Sequence, residues 1–540
     1  MKKNVSLLLV LILLCSVLAG CGSKTEPAEP ATSPSESTNK PESAPATDAA
    51  PAEPLAATYA YIADPLYTLD PAETVSNGVS VMNNIYETLL YFDLNTGEFS
   101  YGLAESYEKS DDGLVWTFQL RQGVQFHSGG ELTAEDVKFS IERIKELGQG
   151  DAYIWANLKE INVLDPYTVE FVLTSPCAFD NVVATPKGAY IFSKAAFESD
   201  PEFFANGGDA GTGPYKVENV TWGTEVILSR FDDYWGGWED NQFTYIIHTF
   251  VGEPANRRLM LESGTADITN NLTQEDIAAL QDNPNVELQV EKSLKTLYVN
   301  MNVNGDNLSD VRVRQALAYA MPYEQIIKTA IGESVGTQAY CAVPPGMNGH
   351  SKDVPQYNYD LDKAKALMEE AGAGDLNLLL IHSTGDEIQR ITAELYQAEL
   401  AKIGINLEIR AMSWSEMVAM ATNEDPNGRM DLFMSYSFPS LVDAYAALKY
   451  YQTGQGNNYS GYSNPAFDEL VIDAYETGGI DKAEAEKMYI ECQKMLIEDC
   501  PAIWIANVND TWVTAKSFQG FETNGAYTYV CRFYDTYRTE

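Results

Sequence analysis

From about residue 57 onward the chain interleaves strand-period and helix-period segments with no fixed repeat between them, and this constrains the fold more than any other feature. Trp116, Phe118 and Leu120 alternate with polar residues, as do Ile405, Leu407, Ile409 and Ala411, the period-two pattern of half-buried strands. TVEFVL at 168–173 and IWI at 503–505 read as further strands. The turn RQG at 121–123 predicts that 116–120 and 124–126 form a hairpin. Between the strands lie helices with their own start and stop signals. Thr133 precedes Glu135 and Asp136, and Val137, Ile141 and Ile144 make one apolar face. Asp360 caps a segment with Leu361, Ala364, Leu367, Met368 and Ala371 inward and Gly372 as its stop. Asn464-Pro465 opens another helix, and 482–498 reads as a long one. The class is α/β, or α+β with mixed sheets.

The first 56 residues follow other rules. Lys2 and Lys3 precede an apolar run over 5–17, shorter than the roughly 20 residues that span a bilayer and suited to a secretory signal. Leu18-Ala19-Gly20-Cys21 resembles a bacterial lipobox, which implies that Cys21 is lipidated and becomes the new N-terminus. More than one acyl chain is what stable anchoring requires. Residues 22–56 hold almost no large apolar side chain, so they cannot offset the entropy of ordering, and we expect a Pro/Ser/Glu/Ala tether without fixed structure.

Roughly 480 residues remain, more than one core accommodates, so two or three domains are expected. The net charge of -43 repels nucleic acid and argues against a nucleic-acid partner. Five cysteines lie beyond the signal and Cys21: Cys177, Cys341, Cys492, Cys500 and Cys531. Cys492 and Cys500 are separated by a helical segment that would hold their backbones about 12 Å apart, beyond disulfide reach unless the helix ends early. His127, His248, His350 and His382 have no metal-ligand spacing, His127 reads as structural, and no cysteine ladder exists, so neither a metal nor a cofactor is expected. The GTGPY turn at 211–215 lacks the Gly-Lys-Ser/Thr of a phosphate loop, and no GxSxG or HExxH frames a catalytic centre, so no enzyme is expected.

Ten stretches, in order, resemble the bacterial extracellular solute-binding proteins, family 5, the oligopeptide, dipeptide and nickel-binding components of ABC importers. They include TLDPA (68–72), IYETLLYFD (85–93), 102–144, GTGPYKV (211–217), YWGGW (234–238), VRVRQALAYAM (311–321), VPPGM (343–347), 359–372, LAKIGI (400–405) and YSNPAFDEL (462–470). The resemblance implies a two-lobed, periplasmic-binding-protein-like type II fold with a hinge. Lobe 1 would be 57–290 with an extra subdomain at about 99–205, lobe 2 would be 291–505, and 506–540 would return to lobe 1. The hinge crossings would lie near 297–300 and 503–507. It further implies a monomer at the outer face of the cytoplasmic membrane, held by its lipid. A peptide or other small solute would be captured between closing lobes and passed to an ABC permease and ATPase complex. Oligosaccharides, modified peptides and metal chelates stay open as ligands, and a sensory role stays open beside transport.

The same resemblance points to site residues. Trp414 matches a cleft-lining tryptophan. Peptide-binding relatives carry W-x-x-D, whose Asp meets the free α-amino group; here Met434 and Ser437 stand at those positions. A hydroxyl offsets a buried ammonium far less than a carboxylate does, so recognition of a free peptide N-terminus is weakened unless Asp443 substitutes. Tyr436 and Phe438 are candidate aromatic walls, Arg390 a candidate partner for a ligand carboxylate, and Asp64 and Tyr67, with Tyr61 and Pro65, a candidate rim on lobe 1.

Overall fold

A computed structural model describes residues 55–61, 66, 68–73, 78–200, 202–527 and 531–539. Cys21, the signal, the tether, Asp64, Pro65 and Tyr67 lie outside the described residues. All the described residues belong to one unit, Pro54–Glu540.

Two large mixed sheets organise it. The first has seven strands in the order Val286–Glu291, Asp510–Ala515, Ile268–Asn270, Ala56–Tyr61, Tyr245–Phe250, Glu225–Arg230, Tyr215–Thr221. Ala56–Tyr61 runs parallel to both its neighbours and the other pairs are antiparallel. The second has six strands, Gly336–Gln338, Ala502–Val508, Thr296–Met301, Leu432–Ser437, Leu376–Ser383, Ile405–Met412, with Leu376–Ser383 parallel to both its neighbours. A four-stranded antiparallel sheet (Ala104–Lys109, Val115–Leu120, Thr168–Leu173, Leu158–Asp165) forms a subdomain on the first lobe.

The chain passes between the two large sheets at residues 292–295 and at Asn509. Both segments expected as crossings, 297–300 and 503–507, are strand residues of the second sheet, where ladder hydrogen bonds fix their backbone. The two passages run side by side: the Val508 N–H donates to Lys295 O at 2.9 Å, and Lys295 Nζ pairs with Asp510 Oδ1 at 2.9 Å.

The expected hairpin is corrected. Val115–Leu120 pairs with Ala104–Lys109 and Thr168–Leu173, not with 124–126. Residues 124–126 instead turn back within a few residues, the Leu132 N–H donating to Val124 O at 2.8 Å and Gly130 O accepting from the Phe126 N–H. Gly129 and Gly130, at φ 87° and 90°, supply the left-handed backbone this second turn needs. The helix signals hold. Thr133 and Asp136 form a capping box on Ala134–Leu147, Asp360 accepts from the Lys363 N–H, and Gly372 ends Leu361–Ala371 at φ 64°. Cys492 lies within Lys482–Asp499 and Cys500 is its left-handed C-cap; both thiols are buried.

The motif segments meet in the first lobe. Glu87, 1% exposed, accepts from Tyr91 OH (3.0 Å), Tyr234 OH (3.1 Å), Thr212 Oγ1 (2.9 Å) and Trp235 Nε1 (2.9 Å), so IYETLLYFD, GTGPY and YWGGW converge on one carboxylate. The glycines of GTGPY serve close approach: a Cβ at Gly211 would stand 2.0 Å from Ile85 O. Gly211→Ala is therefore expected to cost about 3 kcal/mol, because backbone on both sides must shift; a chemical-denaturation midpoint unchanged from the parent would contradict this.

One apolar cluster runs from the seven-stranded sheet through the subdomain into residues 441–504, so the helix pair Pro465–Gly478 and Lys482–Asp499 packs in the same core as first-lobe residues. Lys482 Nζ reaches Asp180 Oδ2 at 3.0 Å, and Lys109 Nζ donates to Gly479 O at 2.9 Å. A second cluster (Leu297, Val299, Leu432, Met434, Ile503) fills one face of the six-stranded sheet.

Candidate functional site

The site is built where the six-stranded sheet and its following segments meet the first-lobe subdomain. Ser413 and Glu416 form a capping box that starts the helix Trp414–Ala421, placing Trp414 at its first position. The indole is 52% exposed. It stands edge-on against Phe433 (5.9 Å between ring centroids) and Tyr459 (6.2 Å), which themselves stack at 4.7 Å. An exposed ring fixed on a rigid aromatic base offers a surface on which a ligand can stack at little entropic cost.

Alternation along Leu432–Ser437 sets the rest. Phe433, Ser435 and Ser437 share the face of Trp414, while Met434 and Tyr436 point to the other. Ser437 is half-buried at the strand's end opposite Thr296, whose Oγ1 lies 3.1 Å from Asn507 Oδ1. Tyr436 sits over the lobe passage: Lys295 Nζ is 5.7 Å from its ring centre, Phe438, 38% exposed, is 5.9 Å away, and its hydroxyl is 3.5 Å from Asp386 Oδ1. Asp386 caps the helix Glu387–Ala401, and burial pushes its carboxyl above the usual range. Sequence reasoning missed Asp386; the available signal was its cap position in TGDE, just before the helix Glu387–Ala401.

Two expected residues are committed elsewhere. Asp443 is 2% exposed, caps Ala444–Leu448 through the Tyr445 N–H, and accepts from Tyr489 OH at 2.5 Å; burial raises its carboxyl to about 6. The buried cap and tyrosine occupy this carboxylate, which explains its place in the sequence without a ligand ammonium. Arg390 projects from the helix surface and pairs with Glu387 and Glu394 at 2.5 and 2.6 Å, which hold its guanidinium further toward the charged form. Tyr61 is fully buried in its strand.

The structure adds a group that the sequence reading passed over. Lys449, 8% exposed, follows Ala444–Leu448 and directs Nζ onto the ring of Tyr153 from the first-lobe subdomain, 3.0 Å from its centre, with Tyr450 at 5.5 Å. Burial lowers its ammonium to about 7, opposed by the field of Asp151. Beside it Ser440 Oγ donates to Asp151 Oδ1 at 3.0 Å, and Thr185 Oγ1 lies 3.4 Å from Ser440 O, so the segment after Ser437 touches the subdomain through polar groups. A charged residue inside the apolar run AALKYY was the available signal.

No group of three or more His, Cys, Asp or Glu side chains among the described residues could hold a metal ion. His127 bridges Asp209 Oδ1 (2.7 Å) and Gly213 O (2.8 Å) as a structural link. A cavity of about 690 Å³ lined by Gly236, Trp238, Glu239, Gln242, Tyr534 and Asp535 lies in the first lobe. Its walls are engaged in packing, Tyr534 OH donating to Gly236 O and Gly237 O at 2.8 Å, so the Trp414 region is the better candidate.

Two mixed sheets joined by adjacent passages define a two-lobed solute-binding protein of the periplasmic type II class. The chain belongs to the bacterial extracellular solute-binding proteins, family 5, whose model matches residues 98–459. It is 29% identical over 475 residues to the dipeptide-binding protein of Escherichia coli (strain K12), covering 81% of this chain and 86% of that one. Among solved structures it is similar to the ABC transporter-associated periplasmic binding protein DppA from Helicobacter pylori in complex with the peptide STSA (25% identity, TM-score 0.77, 90% and 99% coverage). It is likewise similar to the binding protein AgaA of A.tumefacien R10 in complex with agropinic acid (26% identity, TM-score 0.75, 90% and 99% coverage). The family and these relatives are binding proteins rather than enzymes.

Proposed function

We propose that this chain is the substrate-binding lipoprotein of an ABC importer, taking a peptide or peptide-like solute between its lobes and delivering it to a membrane permease and its ATPase. The observation that carries the reading is the exposed Trp414 on its Phe433–Tyr459 base, set in a family of solute-binding proteins whose relatives include a dipeptide-binding protein. A ligand touching both lobes favours the closed arrangement by its differential affinity for it. The passages at 292–295 and Asn509 lie outside both sheets and are the segments that would absorb that rotation. Lipid on Cys21 and the 22–56 tether would keep a monomeric receptor at the outer face of the cytoplasmic membrane, near its permease at high effective concentration.

A non-peptide solute is the second reading. Ser437 stands where peptide-binding relatives carry the Asp for the α-amino group, and AgaA holds agropinic acid. A sensory partner in place of a permease is distinguished by the neighbouring genes.

Native mass spectrometry of the chain from Gly22 tests these readings. A ladder of peptide adducts that vanishes on denaturation supports peptide capture, and one non-peptide mass supports the second reading. Small-angle scattering profiles unchanged by a bound ligand would overturn closure. Trp414→Ala is expected to weaken binding of the identified solute about ten-fold with the thermal midpoint unchanged, since truncating a half-exposed ring removes stacking but little core; full affinity in the variant would remove Trp414 from the site.

A further inference from the structure

We propose that the turn at residues 478–482, where the helix pair Pro465–Gly478 and Lys482–Asp499 rests on the four-stranded subdomain, is a latch. It joins when the lobes close and parts when they open, and so it tunes the affinity for a solute that it never touches. The proposal rests on the closing motion in the solute-binding reading above.

Gly479 is the residue that carries it. Its backbone lies at φ −68° and ψ −19°, ordinary for any L-residue, so nothing local calls for glycine. The need comes from across the seam. A Cβ at Gly479 would stand 2.3 Å from Cys177 N and 2.8 Å from Cys177 Cα, backbone atoms of the segment that follows the subdomain strand Thr168–Leu173. Polar groups line the same contact. Lys109 Nζ donates to Gly479 O at 2.9 Å, and Lys482 Nζ pairs with Asp180 Oδ2 at 3.0 Å. Ser440 Oγ, donating to Asp151 Oδ1 at 3.0 Å, extends the line.

The two sides of the seam are tied to different sheets. Residues 438–501 form an insert between Leu432–Ser437 and Ala502–Val508, the strands that flank Thr296–Met301 in the six-stranded sheet. Arg314, from a helix packed on that sheet, donates to Asp499 O and Cys500 O, and the Val303 N–H donates to Ser460 O at 3.0 Å. Tyr459 stacks on Phe433, and Tyr451 stands edge-on to Trp504. The subdomain is held to the seven-stranded sheet, His127 meeting Gly213 O at 2.8 Å beside the strand Tyr215–Thr221. A rotation about the passages at 292–295 and Asn509 carries the insert with one sheet and the subdomain with the other, so the seam is what it breaks.

The joined seam continues an apolar cluster and adds two charge-assisted bonds, so it favours closure even in an empty cleft. Apparent affinity scales with the fraction of protein already competent to bind. The Lys482 side chain is 55% exposed, which keeps its ion pair weak enough to release.

The test places spin labels at Glu160→Cys in the subdomain and Glu369→Cys on the helix Leu361–Ala371, both exposed, while the thiols of Cys177, Cys341, Cys492, Cys500 and Cys531 are buried. Pulsed dipolar spectroscopy on the exported chain without solute then compares the parent with Gly479→Ala and Lys482→Ala. The expected result is a short distance in the parent that Gly479→Ala converts to a longer one. Lys482→Ala should raise the ratio of long to short about two- to five-fold. Thermal midpoints should change little, because Ala suits the helical backbone at 479. One distance shared by all three proteins overturns the latch: with lowered midpoints the seam is permanent packing, and with unchanged midpoints it carries no energy. A parent showing only the long distance overturns it too, since the seam would then not join in an empty cleft. Lys482→Ala, a surface truncation, decides alone if Gly479→Ala does not fold. No solute enters the measurement. Native mass spectra without any adduct would therefore count against solute capture and leave the latch standing, and unchanged distances would remove the latch and leave capture standing.

Discussion

Glu87→Ala is expected to lower the unfolding free energy by about 4 kcal/mol, because it strips the acceptor from four donors at once, Thr212 and Tyr234 buried and Tyr91 and Trp235 partly buried, and each orphaned donor costs roughly 1–3 kcal/mol. The donors come from three separate segments, so the loss should loosen their junction as a whole. Glu87→Gln should be much milder. Trp235 Nε1 can only donate and, with Thr212 Oγ1 on the same oxygen, would keep the amide oxygen, whereas the hydroxyls of Tyr91 and Tyr234, which meet the other oxygen, can rotate to accept from the new NH₂ group. A urea titration of both variants checks this. Equal losses would mean that charge, rather than donor satisfaction, holds the junction, and a Glu87→Ala midpoint near the parent's would reject the account outright.

Arg143→Met is the second large effect. Arg143 Nη1 and Nη2 meet Asp70 Oδ1 and Oδ2 at 2.7 and 2.5 Å, with side chains 12% and 6% exposed, and the guanidinium lies 4.4 Å from the centre of the Phe197 ring. Such a fork-to-fork pair is strong in geometry. Its removal from one side leaves a buried carboxylate without its cation, which costs about 3–5 kcal/mol. Asp70→Asn combined with Arg143→Met should recover part of that loss, because Asn can still accept from the Ala72 N–H, as Asp70 Oδ1 does at 2.9 Å, and carries no charge. Additive losses in a double-mutant cycle would show that the two side chains do not act as a pair.

Local chemistry explains what was readable beforehand. The capping box at Thr133, the cap at Asp360 and the left-handed stop at Gly372 depend on neighbours within a few residues, so the sequence carries them directly. The 124–126 hairpin failed for a related reason: two successive glycine turns made a local reversal available, and the strand that 115–120 prefers lay at 168–173. The motif order pointed to the family, and the family model agrees over 98–459. It did not reveal what the motifs do. Thr212 and Trp235 reach Glu87 from 125 and 148 residues away, and no periodicity links them.

The candidate site divides in the same way. The exposed position of Trp414 was legible because a strand ending at Met412 and a helix beginning at Trp414 leave that residue at a corner. Asp443 and Lys449 were not, because each is a charged residue whose meaning depends on partners that only folding brings near: Tyr489 on a later helix for one, Tyr153 in the four-stranded subdomain for the other.

By itself, then, the sequence determined the alternation of strands and helices, the helix ends, the acidic charge, the signal-like start and the family, since composition, periodicity and short-range hydrogen bonding suffice for these. Only the tertiary structure decided which carboxylates are structural and where the chain passes between the two large sheets. Each of those is a statement about desolvation and pairing between distant segments, and the energy of a charge is set by what surrounds it in space rather than by its neighbours along the chain.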